Sequence, residues 1–307
     1  MIDIKSPITG NRTETIYQYP VKKVVDLYKS EVGVDVSRFF DGLESLNLCK
    51  CMDTGYSFYY PSSIAGDGMF YEALNSSNGQ YYPSWKWEYE QAIIFLKSKF
   101  KAQNEIRMLE IGCGEGHFIK AVKDQFPHIL SAGLELNESV IQKLTKENFK
   151  VFCQNIEDHS KSNSGVYDFV VAFQVLEHIA DVKSFIDACL FSLKPGGVLF
   201  FGVPNNDSYI FKDDFFHVLN LPPHHMGLWN YDSLANLPKF FNLKTLSIVE
   251  EPADMKNLGI YYRIWLKNNL PKFRQILYPL LRFPVKSLLK IFKPKCGHTI
   301  VAVYQKA

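Results

Sequence analysis

The pattern of apolar and polar positions changes near residue 106. From there onward, short apolar runs alternate with stretches in which apolar residues recur every three or four positions. Runs of the first kind predict buried strands, and stretches of the second kind predict amphipathic helices. The predicted strands are 107–111, 129–136, 151–154, 167–173, 198–203, 243–249 and 298–304, and the predicted helices end near 126, 148, 193 and 237. This alternation predicts an α/β fold with a doubly wound, mainly parallel sheet.

Residues 1–80 lack that alternation, because glycine and proline residues divide them into short pieces. Within this region, residues 21–29 have the spacing of one amphipathic helix, and residues 45–60 that of two short strands around a turn. We therefore predict a small, irregular N-terminal module at 1–80 and a main domain at 81–307. Cys49 and Cys51 form a single C-x-C pair, and no other Cys or His precedes Cys113. Because structural zinc needs two such pairs, no metal site is predicted.

Three glycines at alternate positions, Gly112, Gly114 and Gly116, follow the strand predicted at 107–111. Glycine accepts positive φ and lets a ligand approach the backbone closely, although a tight turn without any ligand has the same composition. The fingerprint of dinucleotide-binding folds is G-x-G-x-x-G, whereas this loop has His117 in place of the last glycine. Glu115 adds a negative charge, which disfavours a pyrophosphate and suits a cofactor that carries positive charge.

Several candidate ligand-binding residues lie at the carboxyl ends of the predicted strands, where ligands bind in parallel sheets. Glu110 and Glu135 end the first two strands of the main domain, and Glu135 can accept hydrogen bonds from a ribose diol. Asn155 and Ile156 follow the third strand and are candidates for contact with an adenine. Phe173 ends the fourth. The sequence thus predicts one crevice for a cofactor that contains a nucleoside.

These residues belong to recognisable motifs. Leu109-Glu-Ile-Gly-Cys-Gly-Glu-Gly116 resembles motif I of the class I S-adenosylmethionine-dependent methyltransferases. Tyr167-Asp-Phe-Val-Val-Ala-Phe-Gln-Val-Leu-Glu-His178 and Leu193-Lys-Pro-Gly-Gly197 resemble two further motifs of that superfamily, in the expected order. The resemblance covers about 107–203 and implies a Rossmann-like seven-stranded sheet of order 3-2-1-4-5-7-6, with the last strand in sequence antiparallel.

The resemblance also implies S-adenosylmethionine as the cofactor. It implies that Glu135 holds the ribose, that the loop 112–116 holds the methionine part, and that the residues after the fourth strand border the methyl group. The cofactor-binding residues expected on this basis are Glu110, Gly112, Cys113, Gly114, Gly116, Glu135, Leu136, Asn155, Ile156, Phe173 and Gln174.

A second resemblance concerns the N-terminal module. One branch of sugar-modifying and natural-product methyltransferases carries a zinc-binding module with two pairs of ligands before the main domain. Ser6-Pro-Ile-Thr-Gly10 and Cys51-Met-Asp-Thr-Gly55 resemble its two knuckles, with every ligand but Cys51 replaced. This implies a degenerate zinc-ribbon-like module without its metal.

Histidines near the predicted crevice are the candidates for chemistry on the acceptor, because the pKa of histidine lies near neutrality. His178 follows the fourth strand, where it either takes part in catalysis or shapes the pocket. His224 and His225 lie after the fifth strand, where they either face the substrate, cap the next helix or remain solvated. Tyr82 and Trp85 belong to an aromatic stretch that either covers the substrate or packs the module on the main domain.

The charge of the chain is balanced overall but uneven. Lys and Arg number 34 against 32 Asp and Glu, which gives a net charge of +2. An insertion is expected at about 252–296, and its residues 255–296 contain ten basic residues and no acid. These residues carry a charge of +10, so the rest of the chain has a net charge of +2 − 10 = −8. This insertion is expected to contact an anionic membrane surface, to bind an anionic substrate or partner, or to cover the core with its basic side in solvent. No nucleic-acid partner is expected, since no recognised reading motif accompanies the charge.

The N-terminal residues lack the pattern of a signal peptide, and no apolar run is long enough to span a bilayer. The expected location is therefore the cytoplasm, or the inner face of the membrane as a peripheral protein. The predicted function is methyl transfer from S-adenosylmethionine to a small molecule or glycan intermediate, at oxygen. Alternatives are an N- or C-methyltransferase of a natural product or nucleotide-sugar, a non-catalytic relative that binds the cofactor, and a dinucleotide-binding oxidoreductase. The sequence indicates neither the acceptor nor the oligomeric state.

Overall fold

Two β-sheets and the helices around them form the part of the chain that the computed structural model describes, residues 3–78, 84–99, 105–253, 263, 266, 269, 270, 277 and 297–307. The strands are β1 Thr13–Pro20, β2 Ser45–Cys51, β3 Ser57–Tyr60, β4 Ile106–Ile111, β5 Ile129–Glu135, β6 Lys150–Cys153, β7 Tyr167–Phe173, β8 Leu193–Pro204, β9 Gly227–Leu228, β10 Leu243–Glu250 and β11 Thr299–Lys306. The α-helices are α1 Val21–Leu27, α2 Gly68–Asn78, α3 Trp87–Lys99, α4 His117–Gln125, α5 Glu138–Lys146, α6 Ile156–Ser160, α7 Val182–Ser192, α8 Tyr209–Asp213 and α9 Tyr231–Asn236. A π-helical turn at Tyr28–Val32 follows α1, and 3-10 turns lie at Ser37–Phe40, Ser62–Ile64, Leu176–His178, Val218–Asn220 and Leu237–Lys239.

The larger sheet has the strand order β10-β11-β8-β7-β4-β5-β6. The pairs β4–β5, β5–β6, β4–β7 and β7–β8 are parallel, whereas β11 runs antiparallel to both β8 and β10. Numbered within this sheet and read from β6, the order is 3-2-1-4-5-7-6. The predicted fold class is confirmed, including the antiparallel direction of the last strand.

Strand β7 shows why this sheet is covered on both faces. Its sequence is apolar at nearly every position, and every residue except Asp168 is buried. Successive side chains of a strand point to opposite faces. Accordingly, Val170 and Ala172 belong to one core cluster, whereas Phe169 and Val171 belong to the other.

The smaller sheet has the order β1-β2-β3-β9 and is antiparallel. Strands β2 and β3 lie where two short strands were predicted, but the sequence pattern did not indicate β1, in which Tyr19 alone is buried. Strand β9 follows His225 and pairs with β3, with Gly227 opposite Phe58. The smaller sheet is therefore built from the N-terminal region together with the segment 205–230, which we call the histidine insertion. The domain division at residue 80 stays a prediction.

The two turns compared above with zinc knuckles lie against each other. Thr9 Oγ1 donates to Asp53 Oδ2 at 2.8 Å, and Asn11 Nδ2 donates to the same oxygen at 2.9 Å. Thr9 Oγ1 also lies 3.7 Å from the buried thiol of Cys51. Hydroxyl, amide and carboxylate groups thus join the turns, and the resemblance to a zinc-binding module stays a prediction.

The basic insertion at 252–296 lies almost entirely outside the described residues, as does Tyr82. Among the helices that are described, none is both long enough and apolar enough to cross a bilayer. Contact of residues 255–296 with a membrane surface stays a prediction.

Gly227 provides a test of the pairing between β3 and β9. A Cβ at this position would overlap the hydroxyl of Tyr56, which is fully buried and packs on Trp229 with ring centroids 4.2 Å apart. Because Tyr56 has no space into which to move, we expect Gly227→Ala to lower the free energy of unfolding by about 1–3 kcal/mol, as overpacking does. Urea unfolding of the full chain measures this change. Gly68→Ala is the control, since a Cβ there meets no atom within 4 Å; equal losses in both variants would contradict the packing argument.

Candidate cofactor and acceptor site

The loop at residues 112–116, which we call the glycine loop, turns the chain tightly from β4 into α4. Gly112, Gly114 and Gly116 have φ of 67°, 48° and 73°, which is the left-handed region that favours glycine. A Cβ on Gly112 would lie 2.6 Å from Val175 Cγ2, and one on Gly116 would lie 2.6 Å from Leu144 Cδ2. Backbone conformation and close packing therefore both require glycine here.

Glu135 joins the glycine loop to the end of β5. Its Oε2 accepts a hydrogen bond from the Gly114 amide at 2.9 Å, while Oε1 accepts from the amides of Leu136 and Asn137 at 2.8 and 3.0 Å. A carboxylate has about four acceptor positions, so roughly one is left for a ligand hydroxyl. The hydrogen bond from Gly114 thus places Glu135 directly beside the glycine loop.

A cavity of about 430 Å³ extends from the glycine loop to the three histidines singled out in the sequence. Its lining contains many of the predicted residues, namely Gly112, Cys113, Gly114, Phe173, Gln174, His178, His224 and His225. Residues that the sequence did not single out also line it, among them Lys86, Trp87, Glu88, Tyr89 and Glu251. The structure thus brings the loop and the histidines together around one space.

Other predicted cofactor residues lie outside this lining, among them Glu110, Gly116 and Glu135. Leu136 is 68% exposed beside Glu135, whereas Ile156 is only 1% exposed and belongs to the core. The side chain of Asn155 caps α6 by accepting from the Asp158 amide at 2.7 Å. Their roles toward an adenine, and those of the other predicted site residues, stay predictions.

Trp85 is also outside the lining. It is 49% exposed and packs edge-on against Tyr89, with ring centroids 5.7 Å apart. Its assignment to the substrate stays a prediction.

Gln174 directly follows β7 and has a strained backbone. Its φ is 57°, an uncommon value for a residue other than glycine, and such conformations are concentrated at functional sites. Its amide donates to the Gly202 carbonyl at 2.7 Å, and its Nε2 donates to Glu88 Oε1 at 3.1 Å. Glu88 is buried, and burial raises the pKa of its carboxyl group. An acid in the first turn of a helix, where Glu88 lies in α3, is usually solvated. The sequence pattern therefore did not indicate that Glu88 is buried or that it accepts a hydrogen bond from Gln174.

His178, His224 and His225, which we call the histidine cluster, meet at the other end of the cavity. Their ring centroids lie 4.7 Å apart for His178 and His224, 5.1 Å for His178 and His225, and 4.6 Å for His224 and His225. Nδ1 of His178 donates to the His224 carbonyl at 2.6 Å, and Nδ1 of His225 donates to Asn220 Oδ1 at 3.0 Å. Burial lowers the pKa of His178 to about 4 and that of the other two well below the usual value. All three imidazoles are therefore neutral, with Nε2 of His178 and His225 in the acceptor form.

The N-terminal region holds this end of the site in place. The Tyr59 amide donates to the Met226 carbonyl at 2.9 Å, and the Met226 amide donates to the Glu177 carbonyl at 2.8 Å. The hydroxyls of Tyr28 and Tyr59 donate to the carbonyls of Leu221 and Asn220 at 2.8 and 3.2 Å. These bonds attach the histidine insertion to the smaller sheet on one side and to the turn after β7 on the other.

Glu177 is a further member of the site. It is only 1% exposed, and within the described part of the chain neither of its carboxylate oxygens has a hydrogen-bond partner. Its Oε1 lies 3.9 Å from His178 Nε2. Burial raises the pKa of Glu177 to about 8.

Acidic groups outnumber basic ones around the cavity, apart from the neutral imidazoles. Glu88, Glu115, Glu177 and Glu251 line it, whereas Lys86 is its only lysine or arginine among the described lining residues. Such a lining attracts positively charged ligands and disfavours pyrophosphates. In the sequence, Glu115 alone indicated a preference for a positively charged cofactor, and the other acids of the lining support the same preference.

Glu110, the last residue but one of β4, provides a test of these buried acids. Burial raises its pKa well above the usual 4.5, and its Oε2 has no hydrogen-bond partner among the described residues. We expect Glu110→Gln to raise the free energy of unfolding at pH 7 by about 1 kcal/mol or more, because glutamine has a similar shape and releases no proton when the chain unfolds.

The pH dependence follows from the sign of the shift. In the folded state Glu110 keeps a proton that it releases in the unfolded state above pH 4.5. The wild type therefore loses stability as the pH rises from 4.5 toward the raised pKa of the folded state. The advantage of Glu110→Gln should therefore grow with pH above 4.5, as measured by urea unfolding at a series of pH values. Glu138→Gln, on the exposed first turn of α5, is the control. A difference that does not vary with pH would contradict the assignment.

Comparison with known proteins identifies the family. Residues 86–248, more than half of the chain, match the model of a methyltransferase domain. A ubiquinone biosynthesis O-methyltransferase of Vibrio parahaemolyticus is 30% identical over 113 residues, which cover 34% of this chain and 47% of that protein. Its counterpart in Hydrogenovibrio crunogenus is 33% identical over 144 residues, or 43% of this chain and 57% of that protein. The chain thus spans about half the length of the curated relatives it matches.

Among solved structures, the plantazolicin methyltransferase BpumL, in complex with a pentazolic desmethylPZN analogue and SAH, has the same fold. The TM-score is 0.51 at 16% identity, and the match covers 78% of this chain and 91% of that one. These findings confirm the family and the cofactor that the motifs implied. The chain belongs to the methyltransferase domain family, as a class I S-adenosylmethionine-dependent member.

Proposed function

We propose that the protein transfers the methyl group of S-adenosylmethionine to an oxygen atom of a small molecule or glycan intermediate. The observation that carries the proposal is that one cavity, of about 430 Å³, is lined by the glycine loop at one end and by the histidine cluster at the other. Its volume falls in the range of small-molecule sites. A donor and an acceptor bound in one space can meet in the alignment that a displacement needs.

The chain offers suitable groups to the cofactor. When bound, S-adenosylmethionine supplies a methyl group on a positively charged sulfur atom. Glu135 keeps about one acceptor position for a hydroxyl of the ribose, and the glycine loop offers backbone next to it. Ionised carboxylates in the lining of the cavity would stabilise such a cation.

The histidine cluster is assigned to the acceptor. His224 and His225 are buried, and Nε2 of His178 and of His225 can accept a hydrogen bond from an acceptor hydroxyl. Such a contact orients the nucleophile and assists the loss of its proton, which contributes about 10²–10⁴-fold to a reaction rate.

The relatives support oxygen as the methylated atom, since the two that match over 34% and 43% of this chain are named O-methyltransferases. The resemblance of the N-terminal module to that of sugar-modifying enzymes supports a glycan intermediate within the acceptor class. The alternatives are N- or C-methylation of a natural product or nucleotide-sugar, and cofactor binding without catalysis. An assay of methyl transfer to several classes of acceptor separates them.

Calorimetric titration tests the cofactor part of the proposal. We expect S-adenosylhomocysteine to bind to the full chain and NAD not to bind, because acids line the cavity. Glu135→Gln should weaken S-adenosylhomocysteine binding by about tenfold or more, as the loss of a charge-assisted hydrogen bond does. Glu138→Gln, three residues away and exposed, should bind like the wild type. Tight NAD binding, or an unaffected Glu135→Gln variant, would refute the assignment.

Substitution of the histidine cluster tests the acceptor part. We expect His224→Ala and His225→Ala each to reduce turnover by about 10²-fold, with little change in S-adenosylhomocysteine affinity. Methyl transfer is measured by mass spectrometry across phenolic, sugar and amine acceptors, and His128→Ala, before β5 and outside the cavity lining, is the control. Unchanged turnover in both variants would refute the role of the histidine insertion.

A further inference from the structure

We propose that His178, His224 and His225 bind one divalent transition-metal ion at the acceptor end of the cavity. Each histidine offers one ring nitrogen, and these nitrogens all lie within 4.8 Å of one another. Three imidazoles around a zinc ion, with bonds of about 2.0–2.1 Å, place their nitrogens about 3.3 Å apart. Closing the site therefore requires the nitrogens that lie farthest apart to approach one another by up to about 1.5 Å.

The hydrogen bonds at Nδ1 prepare two of the three rings as ligands. Nδ1 of His178 donates to the His224 carbonyl, so its Nε2 carries the lone pair. Nδ1 of His225 donates to Asn220 Oδ1, and Asn220 is itself held by a bond from its Nδ2 to Asn206 Oδ1 at 2.9 Å. Partners of this kind fix the tautomer and the orientation of a metal-binding histidine.

Glu177 is a second and independent sign of a cation at this position. Its carboxylate is buried, both oxygens lack hydrogen-bond partners among the described residues, and Oε1 lies 3.9 Å from His178 Nε2. A buried carboxyl group without hydrogen-bond partners is costly in either protonation state, and a nearby cation would offset that cost. A metal ion held by the adjacent imidazoles would supply that positive charge.

The ligand set indicates which ions fit. Imidazole nitrogens suit Zn²⁺, Co²⁺, Ni²⁺ and Cu²⁺, whereas Mg²⁺ prefers oxygen ligands. Three protein ligands leave a fourth position on a tetrahedral ion, as in catalytic zinc sites. Because all three rings line the cavity, an acceptor oxygen can reach that position. With the ion in place, that oxygen binds the metal instead of donating a hydrogen bond to Nε2 of His178 or His225. Only this last role rests on the proposed function; binding of the ion does not.

The test uses the full chain after removal of metals with a chelator. Zn²⁺ is titrated by calorimetry, and Co²⁺ by the visible absorbance that reports nitrogen ligands and coordination geometry. We expect one ion per chain. His178→Asn and His225→Asn should each weaken Zn²⁺ binding by at least about tenfold, the lower bound for loss of a group that supports a metal site. Asparagine keeps a side-chain donor near the position of Nδ1 but removes Nε2, so these variants retain the hydrogen bonds to His224 and Asn220.

His128→Asn, before β5, is the matched control and should bind Zn²⁺ like the wild type. The proposal is overturned if the stripped wild type binds neither Zn²⁺ nor Co²⁺, if both cluster variants bind as tightly as the control, or if Mg²⁺ binds equally well. S-adenosylhomocysteine titration of each protein, with and without metal, shows whether it is folded. If the cofactor product binds but no metal does, the metal site alone fails. If Zn²⁺ binds to the cluster but no acceptor is methylated, the proposed function alone fails.

Discussion

The hydrogen bond from the Gly114 amide to Glu135 fixes the relation between the two loops on which the cofactor site depends. It exists because β4 and β5 are parallel neighbours, with Ile111 paired to Leu134, so that both strands end at the same edge. The three left-handed glycines then carry the chain from β4 into α4 without a side chain in the way. A slip in this register would move the carboxylate away from the loop and expose buried positions of both strands.

The acceptor end depends on a different set of contacts, made by the smaller sheet. Met226 is bonded through its carbonyl to Tyr59 and through its amide to Glu177, so one residue joins the N-terminal region to the turn that carries His178. His224 and His225 immediately precede it. The N-terminal region therefore contributes to the site by holding the histidine insertion, although none of its described residues is among those that line the cavity.

Parts of this arrangement follow from the sequence, and others do not. Strand β7 was predicted with its observed bounds, because a strand buried on both faces is apolar almost throughout. Asn137 is a residue type that favours helix N-caps, and its side chain caps α5 by accepting from the Ser139 amide. In contrast, the meeting of His178 with a histidine 46 residues away depends on the β3–β9 pair, and β9 has only two residues. No periodicity is visible in so short a strand.

The polar groups buried around the cavity lower the stability of the fold. Glu110, Glu177 and two of the three clustered imidazoles are buried where apolar side chains would pack without desolvation of charge. Gln174 adds backbone strain at the same edge of the sheet. Such groups persist in a fold when binding or chemistry requires them and when the surrounding core offsets their cost. Here the core clusters on both faces of the larger sheet supply that support, and the polar groups concentrate at the carboxyl edge of the strands. The location of these unfavourable burials is thus a physical argument for function that is independent of any resemblance.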